Sequence, residues 1–69
     1  MTDTAKLNKR IEDSGLKKSY IAKVLGVADS TLSRKIANMQ EFKASEIDTL
    51  CNILNIETLE EKEAIFFAV

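Results

Sequence analysis

Strong helix breakers are scarce in this chain: its 69 residues include no proline and only two glycines, Gly15 and Gly26. Proline and glycine interrupt helices most strongly, so their scarcity favours helices joined by short turns. No stretch alternates apolar and polar residues for long enough to indicate a half-buried strand. With 45% hydrophobic residues, the chain can also bury a core, which argues against disorder. The sequence therefore predicts an all-α fold.

Apolar periodicity divides the chain into five predicted helices. They cover about residues 4–14, 18–25, 29–37, 44–54 and 58–67. Asp3 or Thr4 is the predicted N-cap of the first helix, and Gly15 and Gly26 follow the first two helices at positions that favour a left-handed backbone. Asn38 is expected to end the third helix in the same way. A chain of this length is expected to form one domain, residues 1–69.

The start of the fifth helix carries a clear helix signal. Thr58 and Glu61 have the spacing of a capping box, which begins the fifth helix. The predicted inward residues of the first four helices are Leu7, Ile11, Ile21, Val24, Leu25, Leu32, Ile36, Ile47, Leu50, Cys51 and Leu54. Cys51 is the only cysteine, so it is predicted to be a core residue and cannot form an internal disulfide.

The junction between the second and third helices is the most informative motif. Ala22 is small enough for a neighbouring helix to cross closely, and Gly26 can adopt the positive φ that a tight turn needs. Leu32 and Ile36 then anchor the third helix against the second. This spacing predicts a helix-turn-helix crossing at about 90–120°, which can place the third helix in the DNA major groove.

The run from Lys18 to Ile56 resembles the Cro/CI-type (XRE) helix-turn-helix family of phage repressors and bacterial regulators. The matching features are Ala22, Gly26, Val27, Leu32, Ile36, Phe42 and the segment SEIDTLCNILNI, within a likeness from Leu7 to about Phe67. The resemblance implies a five-helix, lambda-repressor-like DNA-binding domain with its helix-turn-helix at helices 2 and 3. Three positions depart from the family: Lys18 replaces a frequent glutamine, Asn38 a frequent glycine and Lys43 a frequent Ser or Thr cap.

The outward face of the third helix is small and rich in hydroxyl groups. At 100° per residue, Arg34 lies almost opposite the inward direction that Leu32 and Ile36 define. Arginine can bond O6 and N7 of guanine, serine can bond several base edges, and an aspartate can accept from cytosine. The candidate base-contacting residues are Arg34, Ser30, Asp29, Thr31 and Ser33. The alternatives are that Asp29 caps the helix and that Ser30 and Ser33 are only solvated.

The net charge of −1 hides an uneven distribution. Residues 1–43 contain nine bases and five acids, a net +4, whereas residues 44–69 contain one base and six acids, a net −5. The helix-turn-helix half is therefore basic and suited to a phosphate backbone. The candidate phosphate contacts are Lys17, Lys18, Ser19, Lys35 and Asn38. The acidic residues of the fifth helix are interpreted as a solvated face and not as a metal site.

Several classes of function are not expected. The chain has no histidine, the most frequent general base and metal ligand. Two glycines cannot supply a phosphate-binding glycine loop. We therefore expect no enzyme activity, cofactor or metal. The polar start of the chain does not resemble a signal peptide, and no apolar run is long enough to span a membrane, so a location in the bacterial cytoplasm is expected.

Two functions are consistent with the sequence. The first is a Cro-like regulator that occupies operator DNA as a homodimer. The second is a modulator of repression, which uses the same fold to bind a phage repressor protein, as the resemblance to small temperate-phage members implies. Ile65, Phe66 and Phe67 are the candidate dimer or partner surface. The alternative is that two of these three residues complete the core.

Overall fold

The computed structural model describes residues 1–69 and contains five α-helices and no strand. The helices are α1 (Thr4–Ser14), α2 (Lys18–Leu25), α3 (Asp29–Ile36), α4 (Ala44–Ile53) and α5 (Leu59–Phe66). The all-α prediction is confirmed. The first two helices have the predicted limits, and the last three end one residue earlier than predicted. None of the five combines the length and apolar character that crossing a membrane requires.

Local capping explains most of the helix limits. The Asp3 carboxylate accepts a hydrogen bond from the Lys6 backbone N–H at 3.1 Å, which begins α1. Gly15 and Gly26 follow α1 and α2 with φ of 72° and 73°, where a residue with a Cβ would be strained. The Thr58 hydroxyl accepts from the Glu61 N–H at 3.1 Å and caps α5. These local contacts agree with the capping signals in the sequence.

Two capping details differ from the predictions. Ala28 is the N-cap of α3 and Asp29 is the first helical residue, so the alternative that Asp29 is the cap is wrong. The Asp29 carboxylate still lies in the first turn, where the helix dipole favours negative charge. The Glu61 carboxylate contacts Arg10 at 3.1 Å, so only the Thr58 half of the capping box forms.

The five helices share one hydrophobic core. α2 packs against α3 and α4, while α1 packs against α3 and α5. The buried apolar residues are Leu7, Ile11, Ile21, Ala22, Leu32, Ile36, Ile47, Leu50, Leu54, Ile56, Ile65 and Phe66. Phe42 packs edge-on against Phe66, with 5.7 Å between the ring centroids. Cys51 is only half-buried, at the edge of this core.

Val24 does not belong to the core, contrary to the prediction. Its side chain is 39% exposed. Ile21 and Ala22 are buried and Leu25 packs against the core, and together they define the inward direction of α2. Val24 lies about 110° from that direction on a helical wheel, so it belongs to the outer surface.

The end of α5 resolves the alternative for the C-terminal apolar residues. Ile65 and Phe66 are only 2% and 4% exposed, so their assignment to a dimer surface is wrong. They complete the core because α1 and Phe42 pack against the end of α5. Phe67 is 55% exposed and alone among the three residues remains on the surface.

Residues Met1–Asp3, here called the N-terminal segment, lie beside the end of α5. The Asp3 N–H donates to the Ile65 carbonyl at 2.6 Å, and the Ala68 N–H donates to the Met1 carbonyl at 2.9 Å. Thr2, between these two bonds, is buried. The N-terminal segment is therefore part of the folded structure.

Candidate nucleic-acid interface

α3 exposes the side chains that were predicted to contact bases. Asp29, Ser30, Ser33 and Arg34 are exposed, and Thr31 is half-buried. On the opposite side of the helix, Leu32 and Ile36 are buried in the core. α3 therefore presents a continuous polar face, with small side chains on either side of one arginine.

A hydrogen bond orients the Arg34 side chain along this face. Its Nη2 donates to the Thr31 hydroxyl, one helical turn earlier, at 3.3 Å. An arginine has five N–H donors, so this contact leaves enough of them for two bonds to O6 and N7 of a guanine. The exposed guanidinium is the only cation in the outward face of α3.

The start of α2 presents a second polar surface. Lys17, Lys18 and Ser19 are exposed. Lys17 is the N-cap but its side chain accepts no capping bond, and no acidic residue lies in the first turn. Unpartnered N–H groups at a helix start attract anions, and the two lysines add positive charge. This end of α2 has the chemistry of a phosphate-binding site.

Tyr20 belongs to the same surface but is absent from the sequence prediction. It is 50% exposed and directly follows Ser19, so its phenol hydroxyl is available to a phosphate oxygen. A tyrosine on an amphipathic helix usually packs into the core. Ile21 and Ala22 define the inward direction of α2, and Tyr20 points away from that direction on a helical wheel. This geometry is the signal from which the outward position of Tyr20 could have been predicted.

Lys35 is not part of the polar surface, so its assignment as a phosphate contact is wrong. Its side chain is 2% exposed, and its Nζ donates to Oε1 of Glu46 at 2.6 Å. The same Nζ donates to the Glu41 carbonyl at 3.3 Å. Lys35 lies on the flank of α3 that faces the start of α4, so its ammonium stabilises the α3–α4 connection.

Glu46 links this ion pair to the start of α4. Its Oε1 also accepts from the Lys43 N–H at 2.8 Å, which is half of a capping box. Burial alone would raise the pKa of the Glu46 carboxyl, but the bonds from Lys35 and Lys43 and the charges of both lysines outweigh it, so the pKa is lowered from 4.5. Glu46 is therefore a buried carboxylate with two donors.

Asn38 adopts the predicted left-handed conformation, with φ of 64°. Its side chain, however, pairs with the backbone of Thr2: Oδ1 accepts from the Thr2 N–H at 2.8 Å, and Nδ2 donates to the Thr2 carbonyl at 2.6 Å. Both polar atoms of the amide are therefore used within the protein. This pairing disagrees with the prediction that Asn38 binds a phosphate.

A family model for the Cro/C1-type HTH DNA-binding domain matches residues 6–61. The chain belongs to this family. The match extends from α1 to the first turn of α5 and includes both surfaces described above. The Cro/C1-type chain is accordingly a DNA-binding regulator with a helix-turn-helix formed by α2 and α3. No curated protein and no solved structure matches the chain.

In the Cro/C1-type domain, exposed basic residues predominate at α2 and α3, and exposed acidic residues predominate on the half formed by α4 and α5. Lys17, the N-cap of α2, and Lys18, Lys23 and Arg34 on α2 and α3 are exposed, and Asp29 is the one exposed acidic residue of these two helices. The exposed acidic residues of the other half are Asp48, Glu57, Glu60 and Glu63. DNA attracts the first surface and repels the second, so the domain has one electrostatically favoured orientation toward a duplex.

A groove of about 420 Å³ lies between the N-terminal segment, the α3–α4 connection and the end of α5. Phe42, Ile47 and Phe66 contribute apolar walls. The large side chains Met1, Met39 and Phe67 also line it and are exposed to solvent; we call these three residues the apolar rim. The apolar rim of the Cro/C1-type domain is a surface that a second protein could cover.

Proposed function

We propose that this protein regulates transcription by binding an operator through the outward face of α3. Arg34 contacts a guanine, and Ser30, Thr31, Ser33 and Asp29 contact neighbouring base edges. The observation that carries this proposal is the exposed Arg34 guanidinium, oriented by Thr31 at 3.3 Å on the polar face of the helix. The matched family supplies the DNA-binding activity, and this face supplies the sequence readout.

The start of α2 supplies the backbone contacts in this proposal. Lys17, Lys18 and Ser19 bind phosphates on one side of α3, and the open N–H groups of α2 add further donors. Such contacts orient the protein on the duplex without selecting a sequence. They account for the affinity that all DNA sequences share.

We further propose that the regulator acts as a homodimer that covers the apolar rim. A single small module binds DNA weakly, and two copies on a two-fold symmetric site overcome this. The exposed Met1, Met39 and Phe67 support an apolar association surface. The biological context in this proposal is a genetic switch of a temperate phage, which the resemblance of the AIFF segment (residues 64–67) to temperate-phage members of the family favours.

The second candidate function is a modulator of repression that binds a phage repressor protein. The same apolar rim favours it, because a groove with exposed methionines and a phenylalanine fits a protein partner of either kind. In that case the rim would be covered by a repressor and not by a second copy. The two candidates differ in whether the isolated protein selects a DNA sequence.

The test of the leading proposal is binding to a pool of randomised duplexes over a series of salt concentrations. The expected result is enrichment of a two-fold symmetric sequence, with an affinity that falls steeply as salt rises. Failure to enrich any sequence, even at low salt, would overturn the operator proposal. It would leave the repressor-binding candidate, which pull-down with a purified phage repressor of the same genome then tests.

Two variants of Arg34 separate base contact from charge. Arg34→Ala is expected to weaken binding to the enriched sequence by about 1–3 kcal/mol and to relax one position of it. Arg34→Lys keeps the positive charge but not the bidentate geometry, so it should retain the affinity for scrambled DNA and lose the discrimination. If the wild type, Arg34→Ala and Arg34→Lys discriminate equally between the enriched and scrambled sequences, Arg34 does not contact bases.

The association surface is tested by sedimentation of the protein with and without its enriched duplex. Phe67→Lys should shift a dimer to a monomer, because it places a charge in the apolar rim. Leu59→Lys is the matched control: Leu59 is also an exposed large apolar residue, but it lies outside the groove. A monomeric wild-type protein on a two-fold site would contradict the homodimer.

A further inference from the structure

We propose that the N-terminal segment positions the C-terminal end of α3 for base contact, with Asn38 and Thr4 as positioning residues that do not themselves touch DNA. The proposal rests on α3 being the base-contacting helix, as proposed above. It assigns a DNA-binding role to residues that lie outside both polar surfaces of the interface.

The first step is that the end of α3 and the turn after it are held by three hydrogen bonds of 2.8 Å or less to the N-terminal segment and to Thr4, the first residue of α1. Two of them join the Asn38 amide to the N–H and the carbonyl of Thr2, at 2.8 and 2.6 Å. The third runs from the Thr4 hydroxyl to the Ile36 carbonyl at 2.6 Å. These bonds join residues at least 32 positions apart in the sequence.

The second step is that the N-terminal segment is itself anchored elsewhere. The Asp3 N–H bonds to the Ile65 carbonyl and the Ala68 N–H bonds to the Met1 carbonyl. Thr2 lies between these bonds and is buried. Because the segment is fixed to the end of α5, it can restrain the position of the end of α3. A segment without this anchor would move together with α3.

The third step connects this restraint to Arg34. The Met39 N–H donates to the Arg34 carbonyl at 2.9 Å, and the Asn38 N–H donates to the Lys35 carbonyl at 3.2 Å. The turn that Asn38 holds in the left-handed conformation therefore closes on the backbone of the base-contacting arginine. A loosened turn changes the position from which the Arg34 guanidinium approaches a guanine, and bidentate contacts tolerate little displacement.

The chain offers a matched control for the Asn38 variant. Asn38 and Asn55 are the only two non-glycine residues with positive φ, at 64° and 57°. Asn38→Gly and Asn55→Gly make the same change in the same backbone conformation, but only the first removes the bonds to Thr2. Thr4→Val removes the hydroxyl with little change of shape, and Thr4→Ser restores the donor.

The experiment measures affinity by fluorescence anisotropy for the enriched duplex and for a scrambled duplex, at a temperature where circular dichroism shows every variant folded. Asn38→Gly is expected to weaken binding to the enriched duplex about fivefold to tenfold, and Thr4→Val about fivefold, as one or two lost hydrogen bonds imply. Scrambled-duplex affinity should stay within about twofold, since it depends on the lysines. Asn55→Gly and Thr4→Ser should behave as wild type.

Two further results belong to the proposal. Asn38→Gly and Thr4→Val should combine less than multiplicatively, because both act through one restraint. Backbone amide exchange at position 38 and at Met39, each taken relative to its intrinsic unfolded-chain rate, should accelerate in Asn38→Gly, without DNA, and remain unchanged in Asn55→Gly. This exchange measurement tests the restraint even if no duplex is enriched.

Other outcomes overturn the proposal and identify the reason. An equal loss for both duplexes in Asn38→Gly would mean that Asn38 contacts a phosphate directly. Unchanged affinity for both, or unchanged amide exchange, would mean that the N-terminal segment does not restrain α3. If Arg34→Ala also leaves discrimination intact, the underlying proposal about α3 fails, and the two failures are thereby distinguished.

Discussion

The Lys35–Glu46 pair is an unusual use of two charged residues in so small a core. Removing two ions from water costs several kcal/mol each, and their attraction repays this only with good geometry and further hydrogen bonds. Both conditions are met, because Nζ and Oε1 lie 2.6 Å apart and the Glu41 carbonyl and Lys43 N–H complete the set. A change of either residue alone leaves the other charge buried and unpaired, so the effects of changing the two residues are expected to depend on each other.

This dependence predicts a large coupling between the two residues. Lys35→Met and Glu46→Gln should each lower the free energy of unfolding by about 3 kcal/mol or more, and the double variant should recover most of the loss. Urea unfolding at pH 7 measures all three. The exposed Lys9–Asp13 pair is the control, and Lys9→Met there should cost less than about 1 kcal/mol. Additive losses at Lys35 and Glu46 would contradict the coupling.

The same pair predicts how stability depends on pH. Folding lowers the pKa of Glu46 below its usual 4.5, so the stabilisation is fully present above pH 4.5 and is lost as the pH falls through the lowered value. We therefore expect the wild type to lose stability relative to the Lys35→Met/Glu46→Gln variant as the pH falls below 4.5. The measured quantity is the difference between their free energies of unfolding. The other carboxylates are common to both proteins and cancel. A difference independent of pH would refute this assignment.

At the scale of elements, helix limits were predictable because the signals that set them are local. Asp3, Gly15, Gly26 and Thr58 each act on backbone groups within four residues. The predicted helices therefore agree with the structure within one residue. The residues exposed on α3 also followed from its own periodicity, since Leu32 and Ile36 define the inward side.

Burial and pairing across elements were not predictable in the same way. Lys35 is buried because Glu46 lies opposite it, 11 residues later, and Asn38 is occupied because Thr2 lies beside it, 36 residues earlier. Neither partner is indicated by periodicity or composition. The burial of Ile65 and Phe66 likewise depends on how α5 packs against α1 and Phe42. Such contacts require the three-dimensional arrangement.

The start of α4 predicts a stabilising substitution. The Lys43 side chain cannot accept a hydrogen bond, so the capping box contains only the Glu46 half. Lys43→Ser should add the missing acceptor and raise the free energy of unfolding by about 0.5–1 kcal/mol relative to Lys43→Ala. Chemical denaturation of the two variants gives the comparison, and the alanine variant accounts for the loss of the lysine charge. No difference between them would mean that the introduced hydroxyl does not cap the helix.

At the scale of the whole molecule, the separation of charge predicts which lysines affect DNA binding. Lys18→Ala should reduce the slope of log K against log salt by about 1, because one phosphate contact and its counterion release are lost. Lys62→Ala is the control, since Lys62 lies on α5 and pairs with Asp48. It should leave the slope unchanged. The same slope in the Lys18→Ala variant and the wild type would place the phosphate contacts elsewhere.

The N-terminal segment serves two surfaces at once. Met1 belongs to the apolar rim, and Thr2, the next residue, bonds to Asn38 at the end of α3. Under the two proposals above, a partner that covers the rim acts on the residues that restrain the base-contacting helix. Self-association and operator binding are then coupled by one free energy. By thermodynamic linkage, each of the two binding events changes the affinity of the other by the same factor. In the proposed homodimer, the factor by which association raises the affinity for DNA equals the factor by which DNA raises association. We therefore expect occupancy of the operator to respond cooperatively to protein concentration.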